Sequence, residues 1–173
     1  MDTSHMRRIV DEHIAWLRWA LGLSDWKIVV KYAPIESPRG STVPACCRLD
    51  PPYRSACITL DPASTDDEEE VLRNLVHELL HVVLSPTDLF KDAVRQAVSV
   101  EDMQILYPVW HDSVERCIAN LERFFKVAGL DAKELVARAS AKFDEWGAPH
   151  PSLSETPVPV RSDDVDEDEG IPS

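Results

Sequence analysis

The sequence predicts an α+β protein: one helix, a small three-stranded sheet, then helices to the end of the folded domain. Three observations predict it. Apolar residues at helical spacing open the chain, β-branched and aromatic runs follow up to residue 60, and from Asp61-Pro62 onward the spacing is helical again.

Val10, Ile14, Leu17 and Leu21 recur on one helical face, and Gly22 marks where that helix stops. Trp26 to Tyr32 reads as a strand, and Pro34 to Pro44, rich in Pro, Ser and Gly, as a loop. Ala45 to Leu49 and Tyr53 to Leu60 are two short strands around Asp50-Pro51-Pro52, which predicts a hairpin. Thr65 followed by Glu68 has capping-box spacing, and Asp66 to Glu70 put negative charge at the positive end of the helix they open. Pro108 fits the first turn of a later helix with Val114, Cys117, Ile118, Leu121, Phe124 and Phe125 as its apolar stripe.

At 173 residues the chain is expected to form one domain, and 44% hydrophobic with 28% charged residues is enough for a core. The net charge of −13 argues against nucleic acid and anionic membrane surfaces as partners. No apolar run approaches the roughly 18–20 residues of a membrane span, and no signal-type stretch follows the N-terminus. Four cysteines make a poor disulfide framework in a chain of this length, so a reducing, cytoplasmic setting is expected. The segment 148–173 carries seven acids against Arg161 alone, together with five of the 13 prolines. Such a composition cannot bury enough apolar surface to offset its ordering entropy, so a disordered acidic tail is expected after a folded domain over 1–147.

The helix opened near Thr65 contains Val76-His77-Glu78-Leu79-Leu80-His81. His77 and His81 are four apart and project from one helical face, close enough to grip one ion. Glu78 lies beside such an ion rather than on it, placed to take a proton from a water in the open coordination position. This is the HExxH arrangement of zinc hydrolases, which arises by chance about once in 250 chains of this length at background His and Glu frequencies. The surrounding helix is almost wholly apolar, and a buried turn has no structural use for three costly polar groups.

Catalytic zinc usually takes three protein ligands. The downstream candidates are His111, Glu115 and Glu101. On a helical wheel His111 lies about 80° from the centre of the late apolar stripe and Glu115 about 120°, which favours His111 and leaves Glu115 as the alternative. Glu101 stands in the acidic stretch Ser99 to Asp102 and reads as a solvated cap.

The layout resembles the minimal zincin metallopeptidases, in particular small metallopeptidases of phages and actinobacterial prophages. The resemblance rests on Trp19, Leu21-Gly22-Leu23 and Trp26, on Asp50-Pro51-Pro52-Tyr53, on Val76 to His81, and on His111 to Arg116. It covers most of 1–127, with HExxH as its specific motif. In the related ImmA/IrrE type the third ligand is a glutamate three residues before a small apolar position; here that slot, three before Val114, holds His111. SprT-like proteins use histidine there. The resemblance implies a zincin-like fold and a zinc-dependent peptidase, with Glu78 as the base acting on a zinc-bound water and a protein or peptide as substrate. The strand Tyr53 to Leu60 is expected to hold that peptide by edge pairing. The alternative is a zincin-like module that binds a protein and keeps zinc for its structure. Cys46, Cys47 and Cys57 lack CxxC spacing and read as core or edge thiols. Tyr107 and Trp110 flank His111 as candidate pocket walls, with Tyr107 also a candidate oxyanion donor.

Overall fold

The computed structural model describes residues 1–35 and 43–146. Most of the loop Pro34 to Pro44 and all of the acidic tail expected over 148–173 therefore lie outside the described residues.

The first helix, α1 (Thr3–Ala20), is capped at its start by the Asp2 carboxylate, which accepts from His5 N. It ends as the sequence anticipates. Gly22 takes φ +71°, its N–H donates to Trp19 O, and Leu23 N donates to Arg18 O at 2.7 Å. That bond pair closes the last turn and drops the buried Leu23 into the core.

Three strands follow: β1 (Lys27–Tyr32), β2 (Ala45–Asp50) and β3 (Ser55–Leu60). Their order in the sheet is β1-β3-β2, with β1 parallel and β2 antiparallel to β3. The β2–β3 hairpin turns through a short 3-10 segment at Pro51–Tyr53, after which Arg54 adopts φ +47°. Ala56, Ile58 and Leu60 alternate onto the buried face, opposite Leu49, Cys47 and Ala45 of β2.

Helix α2 (Glu68–Val83) is the hub, touching α1, β2, β3, α4 and α5. Val71, Leu72, Leu75, Val76, Leu79, Leu80 and Val82 are buried, which is why so apolar a helix is stable here. Its cap lies two residues later than the Thr65–Glu68 spacing predicts. Asp67 accepts from Glu70 N, and Asp66 N donates to the Glu70 carboxylate. Thr65 is used elsewhere: buried Asp61 caps a 3-10 turn at Pro62–Ser64, and the Thr65 hydroxyl donates to Asp61 O.

Three helices complete the α+β architecture: α3 (Pro86–Ala97), α4 (Val100–Val127) and α5 (Ala132–Trp146). Pro108 is not in the first turn of its helix, as expected, but inside α4. The helix starts eight residues earlier because Ser99 Oγ accepts from Asp102 N and donates to the Asp102 carboxylate. Glu101 is thus an exposed first-turn residue, the solvated cap expected of it. Ile118 alone on α4 is fully buried, and Cys117 and Phe124 of the predicted stripe are exposed. Helix α5 packs on α1. No described helix is long and apolar enough to cross a membrane.

Candidate metal centre

Helix α2 is held by its buried apolar residues, which fixes the rotation of the helix and hence the direction its other residues face. His77 and His81 share the face turned toward α4, with ring centroids 5.2 Å apart. Glu78, one residue on, is turned toward the sheet and is only 5% exposed. On α4, Ile118 anchors the helix against the core. Glu115 and Glu122 stand one turn before and one turn after it, on the same inner flank.

The two helices therefore bring three donors together. Glu115 Oε1 is 3.3 Å from His81 Nε2, and Glu115 Oε2 is 3.6 Å from His77 Nε2. Ligand atoms of His77, His81 and Glu115 all lie within 4.8 Å of one another. Corners of a tetrahedron with the ~2.0–2.1 Å bonds of zinc to imidazole and carboxylate are about 3.3 Å apart, so the donor set and its spacing fit that ion.

The electrostatics suit the same use. Burial holds the His81 imidazole below its ordinary pKa, against the opposing pull of Glu115. His81 is then neutral near pH 7, the form that ligates. Burial pushes the Glu78 carboxyl up to about 7; the Glu115 charge adds to the rise and His77 opposes it. A carboxyl tuned near neutrality is well suited to taking up and returning a proton. The Cys47 thiol on β2 is likewise pushed up by burial and by the Glu78 charge, which places the β2 strand beside Glu78.

His111, favoured by the wheel argument, is not gathered into the group. Its side chain is half exposed and its Nε2 lies 3.9 Å from Glu115 Oε1. The reason is axial. Measured from Ile118, His111 and Glu115 differ by only about 40° around the helix, but His111 sits about 6 Å farther along it. A wheel reports the face and not the level. Tyr107 and Trp110 form an aromatic wall next to His111, with ring centroids 6.1 Å from Tyr107 to His111 and 5.8 Å from Tyr107 to Trp110. Lys91 of α3 lies 4.5 Å over the Trp110 ring while its ammonium donates to Asp88, tying α3 to this wall.

The expected peptide-binding strand also changes. Residues 55–60 form the central strand, paired on both sides, and so have no free edge. Among the described residues the open edge beside Glu78 belongs to β2. Asp61 N donates to Pro44 O, and from that pair the antiparallel alternation turns the backbone N–H and C=O of Ala45, Cys47 and Leu49 outward.

One contact has no counterpart in the sequence reading. His77 Nδ1 lies 3.0 Å from Glu122 Oε1. The signal was present as a second acid seven residues after Glu115, on the same flank of the α4 stripe. Comparison of the chain with protein-family models, curated proteins and solved structures finds no match.

Proposed function

We propose that this chain is a zinc-dependent peptidase of minimal zincin architecture, with His77, His81 and Glu115 as ligands and Glu78 as the general base. The observation that carries the reading is the convergence of His77, His81 and Glu115 beside a buried carboxylate outside the donor group. A site serving structure alone has no use for Glu78, whose charge is costly where it stands. Zinc, when bound, would polarise the scissile carbonyl and acidify a water. Glu78, buried beside the donor group, would take a proton from an attacking water and return it to the leaving amine. The outward N–H and C=O groups of β2 align an extended peptide past Glu78. Tyr107, Trp110 and His111, in contact along α4, are the side chains offered to a substrate on that side. The four free thiols suit a reducing, cytoplasmic compartment.

A second reading, a zincin-like binding module with structural zinc, draws on the exposed apolar side chains Leu89, Phe90, Ile105 and Val109 of α3 and α4. Glu78→Gln separates the two. It keeps the size of the side chain and touches no ligand, so zinc uptake should be unchanged. Hydrolysis of a susceptible peptide from a broad library should fall about 10²–10⁴-fold. If parent and variant both take up zinc and leave the whole library uncut, the peptidase reading fails and the module reading replaces it.

A further inference from the structure

Glu122 is a half-buried acid that the proposed reaction does not use. Its Oε1 sits 3.0 Å from His77 Nδ1, while the other ring nitrogen of His77, Nε2, faces Glu115 at 3.6 Å. We infer that Glu122 is a positioning residue that fixes the tautomer and ring orientation of His77 for metal binding, an inference that rests on the metal-site reading above.

A neutral imidazole carries one proton on one of two nitrogens, and an ionised carboxylate can only accept. With Glu122 facing Nδ1, the proton resides there and Nε2 keeps its lone pair, aimed at the point where Glu115 and His81 converge. Without Glu122 nothing in that contact distinguishes the two tautomers or the two ring flips, and only one of the four combinations presents a lone pair to the metal. A carboxylate behind a ligating histidine also raises the basicity of the ligand.

The placement excludes a direct part in the chemistry. Glu122 touches His77 on the side away from Nε2. Together with Leu72, Phe125 and Ala132, it lines an open groove between α2 and the turn from α4 to α5. That turn is closed by Gly129 at φ +66°, with Gly129 N donating to Lys126 O and Leu130 N to Phe125 O. Two backbone bonds thus close the end of α4, and the part of that helix after Pro108 carries both Glu115 and, two turns on, the group that faces His77 Nδ1.

The test combines two measurements on the full chain carrying Glu122→Gln or Glu122→Ala. Zinc affinity, read by competition with a chelating dye, should fall about 10–100-fold in Glu122→Ala. It should fall less in Glu122→Gln, whose amide oxygen still accepts from Nδ1. Long-range ¹H–¹⁵N spectra of the metal-free chain should show His77 protonated at Nδ1 in the parent and shifted toward Nε2 in Glu122→Ala. A role confined to packing would leave that tautomer where it is, and Glu122→Gln preserves packing if Glu122→Ala does not fold. Parental zinc affinity in both variants with an unchanged tautomer overturns the inference while leaving the metal site standing. A parent that takes up no zinc overturns the metal site, and the spectra then report separately whether Glu122 holds the ring.

Discussion

Glu115 Oε1 stands 3.3 Å from His81 Nε2, across the gap between α4 and α2. The donor group is completed by a helix that enters only after α3 has intervened, so its composition depends on the level at which two helices cross. The single buried residue of α4, Ile118, sets that level.

The third ligand is the sharpest consequence. Glu115→Ala should weaken zinc by orders of magnitude, as should His77→Ala and His81→Ala. His111→Ala should retain nearly parental affinity. Chelator competition reads all four; a strong loss in His111→Ala with little loss in Glu115→Ala would reverse the assignment.

The β2 edge gives a second expectation. Cys47→Pro removes one outward N–H at a position where an edge strand tolerates proline. Losing one backbone hydrogen bond, about 0.5–1.5 kcal/mol, should raise KM for an extended peptide about 2–10-fold while zinc affinity stays put. An unchanged KM would take the peptide off this edge.

Stability of the metal-free chain should depend on pH through Glu78. Its carboxyl is raised from 4.5 to about 7 in the folded state, so the native chain binds the extra proton between those values. Stability therefore falls as pH rises from about 4.5 to 7, and the full cost, on the order of 1–3 kcal/mol, persists above. Glu78→Gln escapes it. Its melting temperature should exceed the parental one at pH 8 and approach it at pH 4.5; a constant difference across that range would contradict the burial argument.

Ile118 links packing to the site. Ile118→Ala should cost about 2–5 kcal/mol in denaturant unfolding, and Ile118→Val about 0.5–1.5 kcal/mol. Because Ile118 holds Glu115 in register, the Ala variant should also bind zinc more weakly, whereas Ile118→Val should not.

Periodicity and punctuation made much of this legible. The α1 stripe, Gly22 as a stop, the hairpin at Asp50-Pro51-Pro52 and the buried α2 face are all local features of the chain, and each stands where the sequence puts it. The pairing of β1 with β3 is a crossover that no local pattern encodes, and it moves the open edge to β2. The cap of α2 falls to Asp67, which accepts from Glu70 N, because Thr65 belongs to the preceding 3-10 turn through its bond to Asp61 O, a turn the capping-box spacing does not reveal. His111 and Glu115 were separable only by their level along α4, and Glu122 only by its distance to a residue on another helix.

Pro108 divides α4 in a way its unbroken outline conceals. It brings no N–H, so the Gln104 carbonyl loses its helical donor, and the residues before it include none that is buried. The opening free energy is therefore graded along one helix. Amides over 101–107, and those of α3, should exchange with deuterium through local openings, while amides near Ile118 wait for global unfolding. The wall carrying Tyr107 and Trp110 sits at the border of these two regimes. Glu115 lies beyond that border, one turn from Ile118, on the side that does not open locally.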